Sequence, residues 1–152
     1  MTQKTKSHWL IKSYGNGGIL LLRVWLGMAM LVHGYKSVIG GEMNGFIEYL
    51  EGFGVPAPEL MAWLAKGSEF FGGALLIFGL FSKASALFVF ATMAVATFLV
   101  HKGELIGTAG ELTWCYMLIS LTILIQGPGK ISIDHLIAKR KMTTTGDSTK
   151  PV

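Results

Sequence analysis

Charged residues are scarce in this sequence. Only 14% of its 152 residues are Asp, Glu, Lys or Arg and 51% are hydrophobic, whereas an ordinary soluble domain has about a quarter charged residues. A water-soluble globule is therefore not expected. Cysteine is scarcer still, because Cys115 stands alone. One cysteine excludes an intrachain disulfide, a Cys-x-x-Cys redox motif and a cysteine zinc site.

The sequence contains several long apolar runs. About 20 apolar residues cross the ~30 Å hydrocarbon layer of a bilayer as a helix. The runs are too long for strands and lack the alternation typical of a membrane barrel. The sequence therefore predicts an all-α, integral membrane four-helix bundle. Its four predicted spans are Gly18 to Val38, Leu60 to Phe81, Ala84 to Val100 and Leu112 to Ile125.

The first run follows a basic segment, as the apolar part of a signal peptide would. Arg23 interrupts this run, and no small-residue cleavage site follows it. We therefore interpret it as a retained first span.

The distribution of lysine and arginine predicts the orientation. These residues precede the first run, separate the second from the third and follow the fourth, and the positive-inside rule places all three regions in the cytoplasm. The predicted organisation is a cytoplasmic segment over 1–17, a transmembrane domain over 18–127 and a cytoplasmic tail over 128–152, disordered from about residue 142. The net charge of +4 then reflects membrane orientation, and no nucleic-acid partner is expected.

The loop between the first two spans has a pattern of its own. Within "EMNGFIEYLEGFG", aromatic residues and leucine recur at helical spacing, with acidic residues on the other side. This pattern predicts a short amphipathic helix in the first outer loop.

Ionisable residues inside the spans are the candidate functional residues. Each costs about 3 kcal/mol to insert, so such groups usually face the bundle interior or a wet cavity. Counting ~1.5 Å of rise per residue from the cytoplasmic ends, all but Arg23 fall in the outer half. We therefore expect a polar pocket near the outer side with Glu69 as its deepest acid. The candidates are Arg23, His33, Lys36, Lys66, Glu69, His101 and Glu111.

The partner of Glu69 stays open at this point. His33 and Lys36 are candidates across the helix interface, and Lys66 lies one turn away on the same helix. Arg23 either snorkels to the inner boundary or extends toward Glu69. A purely structural ion pair explains Glu69 without any ligand, and the two lysines alternatively snorkel outward.

A metal site is not expected from these residues. His33 and His101 would need at least one further ligand, for which only Glu69 or Glu111 is available. The alternative for His101 and Glu111 is that they are ordinary residues of the membrane interface.

In order and spacing, several segments resemble the DoxX family of small bacterial membrane proteins. Together they cover most of residues 18–134. They are Arg23 with "HGYKS" in the first run, "GFIEYLEGFGVPAPEL", "EFFGGALLIFGLFSKASAL" from Glu69 onward, His101 after the third run and "GPGKISID" after the fourth.

The resemblance implies a multi-pass protein of the bacterial inner membrane that is linked to redox processes. Relatives include a subunit of a thiosulfate:quinone oxidoreductase, and others are associated with thiol-handling partners. The family's characteristic polar positions are matched here by Arg23, His33, Lys36, Glu69 and His101. With Cys115 alone, a self-contained dithiol cycle is unavailable.

The leading functional prediction is a membrane subunit of a redox assembly. Its pocket would bind a small polar or quinone-like molecule, and His33, Glu69 and His101 would handle protons. We expect no intrinsic cofactor, so a cofactor-bearing partner would supply electrons. The expected partners are the lipid bilayer and a redox complex or a second copy of the chain.

Two other classes compete with this prediction. The first is a non-catalytic accessory or scaffold subunit of a larger membrane complex. The second is a small transporter or proton conduit, which is disfavoured because beyond Arg23 no chain of ionisable residues continues toward the cytoplasm.

Overall fold

The computed structural model describes the backbone of residues 15–105 and 110–146, and within these ranges the regular structure is entirely helical. A five-residue π-helical segment, Ala96–Val100, continues α4. The helices are α1 Gly15–Val38, α2 Met43–Gly52, α3 Pro58–Phe78, α4 Ser82–Val95, α5 Gly110–Gln126 and α6 Ile133–Gly146.

Four of these helices form a membrane bundle, which confirms the predicted fold class. Three apolar segments are long enough to span a bilayer: Gly17–Val38, Pro58–Phe78 and Ser82–Val100. The fourth, α5, is a shorter apolar helix of 17 residues. Around the bundle, α1 packs against α3, α3 against α4, α4 against α5 and α5 against α1.

The predicted short helix in the first outer loop is α2, which packs on α3 and α1. Met43 and Leu50 from this helix are buried together with Ala62 of α3. Tyr49 and Phe53, on the apolar side expected from the sequence, are more than two-fifths exposed. The helix therefore covers the outer ends of α1 and α3 with only part of its apolar surface.

Glycines allow α1 and α3 to touch through their backbones. A Cβ atom on Gly73 would lie 2.7 Å from the carbonyl oxygen of Gly27 and 2.6 Å from the amide nitrogen of Leu31. A Cβ atom on Gly34 would come equally close to the backbone of Phe70. Such small residues permit close packing where lipid provides no hydrophobic drive for helix association.

Arg23 lies at the end of the bundle that the lysine distribution assigns to the cytoplasm. Its side chain is 2% exposed. Nη1 donates a 2.7 Å hydrogen bond to the Pro128 carbonyl, and Nη2 donates a 2.9 Å bond to the Ile131 carbonyl. Of the two orientations considered for Arg23, the structure has the one toward the inner boundary. The reason is that the loop after α5 offers carbonyl acceptors there.

Asp134 joins the start of α6 to the turn between α3 and α4. Its two carboxylate oxygens accept 2.8 Å hydrogen bonds from the backbone N–H groups of Phe81 and Ser82, at the N-terminus of α4. Its own N–H donates to the carbonyl of Gly79 at 2.9 Å. The opposite charges of Asp134 and Arg23 attract each other. We use the name Arg23–Asp134 cluster for these two residues and their hydrogen-bond partners, which are Gly79, Phe81, Ser82, Pro128 and Ile131.

The chain after α5 turns as its composition predicts and then remains helical for longer than expected. Gly127, with φ of 81°, follows the last residue of α5. Helix α6 continues to Gly146, so the first five residues of the segment expected to be disordered have helical backbone. Residues 147–152 and the first 14 residues of the N-terminal segment lie outside the described ranges.

We predict that Gly73→Ala destabilises the bundle, because the added methyl would overlap the backbone of α1. Overpacking of this kind costs about 1–3 kcal/mol. The matched control is Gly72→Ala, whose Cβ would meet nothing closer than the Val89 Cγ2 atom at 3.6 Å. Thermal unfolding of the purified variants in detergent should show a lowered midpoint for Gly73→Ala alone. Equal midpoints would contradict the backbone contact.

We predict that Asp134→Ala also lowers stability, because it removes two acceptors from the start of α4 and the charge beside buried Arg23. The expected cost is about 1–3 kcal/mol. Glu48→Ala removes an exposed acid of α2 and serves as the control in the same unfolding assay. A loss no larger than that of the control would show that the cluster contributes little.

Candidate functional site

A cavity of about 520 Å³ lies in the half of the bundle remote from the Arg23–Asp134 cluster. It is lined by residues of all four crossing helices and of α2. Its deep side is formed by Met30 of α1, Met93 of α4 and Tyr116 of α5, which belong to the main buried core. Phe46 and Leu50 of α2 cover it from the outer end. Most lining side chains are apolar, so the few polar groups stand out.

Glu69 and Lys66 form an ion pair in the wall of the cavity. The Lys66 Nζ atom lies 2.8 Å from the Glu69 Oε2 atom, and the two side chains are 14% and 5% exposed. Among the partners considered for Glu69, the structure has Lys66, one turn away on α3. Lys66 does not snorkel outward, because its Nζ atom also lies 4.4 Å from the centroid of the Phe46 ring, within cation–π distance.

Hydroxyl groups join the helices around the cavity. The hydroxyls of Ser68 on α3 and Thr92 on α4 lie 2.8 Å apart. Thr97 of the π-helical segment donates a 2.9 Å bond to Thr113 of α5, whose hydroxyl donates to the Gly110 carbonyl. Cross-helix hydrogen bonds of this kind contribute roughly 0.6 kcal/mol each in membrane bundles. They fix the spacing of α3, α4 and α5 beside the ion pair.

The two candidate histidines reach the cavity from opposite sides. His33 of α1 meets the Tyr116 ring nearly edge-on, with ring centroids 6.2 Å apart. His101 directly follows the π-helical segment, and its backbone N–H donates to the Ala96 carbonyl, five residues earlier, at 3.0 Å. This wider turn places His101 among the lining residues. The sequence carries no signal that predicts the π-helical segment.

The structure brings four of the seven candidate residues to one cavity and leaves three elsewhere. His33, Lys66, Glu69 and His101 line it. Arg23 lies at the other end of the bundle, where it binds the loop after α5. Lys36 and Glu111 are exposed and do not line the cavity. Their expected inclusion depended on depth alone, whereas contact also requires the side chain to lie on the correct side of its helix.

Several residues at the site were not among the sequence candidates. Phe46 was expected only as part of the apolar side of α2, and Ser68, Thr92 and Tyr116 were not singled out. A serine or threonine in an apolar helix is a weak signal, since such a hydroxyl can bond to its own helix backbone. Within the described ranges, no group of three or more His, Cys, Asp or Glu residues is placed to hold a metal ion.

Comparison with known proteins assigns the family. The model of the DoxX family matches residues 18–102, a range that contains α2 to α4, all but the first three residues of α1, and His101. The chain belongs to the DoxX family. This DoxX protein is a multi-pass protein of the inner membrane, as its apolar helices and its relatives show.

Three relatives illustrate the range of this similarity. Inner membrane protein YqjF of Escherichia coli is 29% identical over 86% of this chain and 99% of the relative. Putative oxidoreductase CatD of Bacillus subtilis is 30% identical over 82% and 90%. Inner membrane protein YphA of Escherichia coli is 28% identical over 77% and 88%. No solved structure matches the chain.

We predict that Lys66 and Glu69 depend on each other for stability. Replacing one member of a buried pair leaves an uncompensated charge and costs about 3–5 kcal/mol. Glu69→Leu and Lys66→Met should each lower the unfolding midpoint, and the double variant should recover part of the loss. Additive losses in this double-mutant cycle would show that the 2.8 Å contact contributes no coupling.

Proposed function

We propose that this DoxX protein is the membrane subunit of a redox assembly and that its cavity binds a quinone-like molecule. The observation that carries the proposal is the composition of the cavity. About 520 Å³ of mainly apolar space is combined with one ion pair and two histidines. Small-molecule sites in proteins typically have about 300–1,000 Å³, apolar walls and a few placed polar groups.

The wall suits a ring that carries oxygen substituents. Phe46, Leu50, Met30 and Tyr116 offer apolar and aromatic contacts. The Lys66 ammonium is a hydrogen-bond donor for a carbonyl oxygen, and the Glu69 carboxylate is an acceptor for a hydroxyl. The same wall therefore has partners for both the oxidised and the reduced form of a quinone.

The titratable groups suit proton exchange with such a ligand. Reduction of a quinone to a quinol consumes two electrons and two protons. A neutral imidazole has one nitrogen that donates and one that accepts a hydrogen bond, so His33 and His101, which line the cavity with Glu69, are suited to deliver and accept protons. These residues would exchange protons with the ligand without themselves carrying electrons.

The electrons would come from a partner protein. Cys115 is the chain's lone cysteine, and one thiolate does not hold an iron–sulfur cluster. The relative named putative oxidoreductase CatD supports a redox association for this fold. The proposed assembly therefore pairs this subunit with a protein that carries a redox cofactor.

The core below the cavity disfavours a conduit through the bundle. Leu26, Leu76, Val89 and Ile123 are fully buried there, and Arg23 below them is engaged with backbone carbonyls. An accessory role without a ligand is the second candidate, because the buried charge of Arg23 bonds to backbone carbonyls of its own chain. A measurement of quinone binding distinguishes the redox role from the accessory role.

We predict that the purified protein in lipid nanodiscs binds a decyl-substituted benzoquinone and that Glu69→Gln and His101→Gln each weaken this binding. A hydrogen bond to a charged group contributes about 1.5–3 kcal/mol, so the affinity should fall roughly 10- to 100-fold for Glu69→Gln. Quenching of intrinsic tryptophan fluorescence on titration with the quinone measures the affinity.

The matched control is Glu111→Gln, which neutralises an exposed acid of α5 outside the cavity. Its affinity should equal that of the unsubstituted protein. Absent binding in every variant, or equal binding in all of them, would remove the quinone proposal. Co-purification with a cofactor-bearing complex in mild detergent would then favour the accessory role.

A further inference from the structure

We propose that the cavity is reached from within the bilayer, through a lateral opening between α3 and α4, and that its occupant is a membrane-dissolved amphiphile. The inference rests on the proposed function, because it concerns the same cavity and specifies the physical class and route of the ligand. Four observations carry it: the exposed lining residues of α4, those of α3, the position of the contacts between these helices, and the protein that covers the deep side and part of the outer end.

The part of α4 that lines the cavity extends beyond its packing side. Phe88, Val95 and Leu99 recur at helical spacing, line the cavity and are 62%, 48% and 59% exposed. Val89 and Met93, about a third of a turn away, are buried in the core, and Met93 also lines the cavity. At 100° per residue, the exposed lining residues are rotated outward from the packing side. They therefore face the surroundings of the bundle as well as the cavity.

Helix α3 shows the same arrangement. Met61 and Leu64 line the cavity and are 39% and 57% exposed, whereas Ala62 is buried on the packing side and Glu69 is a buried lining residue. The lining residues of α3 and α4 thus form the two edges of a gap. Both helices are long and apolar enough to span the membrane, so the gap faces acyl chains.

Close contacts between α3 and α4 lie beside the turn that connects the two helices. A three-residue turn connects them beside the Arg23–Asp134 cluster. Near that end, a Cβ atom on Gly72 would lie 3.6 Å from the Val89 side chain and 3.8 Å from the Ser85 carbonyl oxygen. The Ser68–Thr92 contact at 2.8 Å is the next connection along the helices. Beyond it, the space between them belongs to the cavity.

Protein covers the cavity on two other sides. Phe46 and Leu50 of α2 lie over part of its outer end, and Met30 of α1 and Tyr116 of α5 form the deep side. The deep side separates the cavity from the other half of the bundle. The side between α3 and α4, where exposed lining residues of two membrane-spanning helices meet, is therefore the route assigned to the ligand.

The placement of charge defines the ligand's polar end. Lys66 and Glu69 lie in the wall of α3, while the edges of the gap at Leu64, Val95 and Leu99 are apolar. An occupant with a hydrogen-bonding head and an apolar tail satisfies both parts, with the head at the ion pair and the tail between the helices. A fully water-soluble molecule would place polar groups against these apolar edges without hydrogen-bond partners, which costs free energy.

The proposal is tested by narrowing the gap with Ala91→Phe. Ala91 is an exposed lining residue of α4. Ala84→Phe is the matched control, because Ala84 is seven residues earlier on the same side of α4, is exposed and does not line the cavity. In nanodiscs containing the decyl-substituted benzoquinone, Ala91→Phe should slow association at least about tenfold, and Ala84→Phe should leave it unchanged.

A second measurement identifies the phase, lipid or water, from which the ligand enters the cavity. With lateral access, the association rate follows the mole fraction of quinone in the lipid and falls when empty nanodiscs are added at constant total quinone. A tail-less benzoquinone with the same head should bind much more weakly. Equal rates for the two phenylalanine variants, or rates that follow the aqueous quinone concentration, would overturn lateral access.

A bimane fluorophore distinguishes failure of this inference from failure of the quinone proposal. It is attached to Ala91→Cys in a Cys115→Ser background, since Cys115 is otherwise exposed. Lipids brominated on their acyl chains should quench the fluorophore, and aqueous iodide should not. If no quinone binds but lipid quenching persists, the quinone proposal fails and the lateral opening stands. Quenching by iodide alone would remove the lateral opening.

Discussion

Charge inside a bilayer needs a partner, and this constraint organises both halves of the molecule. The hydrocarbon layer offers no water to an ionised side chain, so each such group must find acceptors, an opposite charge or a polar cavity. Arg23 finds two backbone carbonyls at one end of the bundle. Glu69 and Lys66 find each other at the other end. The two solutions have different consequences for the fold.

At the Arg23 end the charges close the bundle. Arg23 holds the loop after α5, and Asp134 from the next helix holds the turn between α3 and α4. Two connecting segments of the chain are thereby tied to α1 and to the start of α6 without a disulfide. Together with the backbone contact of Gly27 and Gly73, this cluster makes one half of the molecule tightly packed.

At the Glu69 end the charged side chains lie in the wall of the cavity. The ion pair lies on a single helix, so it places no tie between α3 and α4. At this level the hydroxyls of Ser68 and Thr92 connect α3 to α4, and this contact is weak compared with the bonds of Arg23. A DoxX protein built in this way combines a closed half that gives stability with an open half suited to a ligand.

The amino-acid sequence by itself determined the fold class, the four spans, the short outer helix and the residues that carry charge into the membrane. These features depend on local hydropathy, helical spacing and the lysine distribution, all of which can be read along the chain. Residue counting also placed Glu69, His33 and His101 in the same half of the membrane. It did so because a helix rises by a nearly constant amount per residue.

Only the tertiary structure decided which of these residues meet. The side of a helix that faces a neighbour is set by packing, here by Gly27, Gly34 and Gly73 between α1 and α3, and a count of residues does not reveal it. For this reason Lys36 and Glu111, at the expected depth, lie outside the cavity. The direction taken by Arg23 was likewise fixed by carbonyls more than a hundred residues away, which no local pattern can predict.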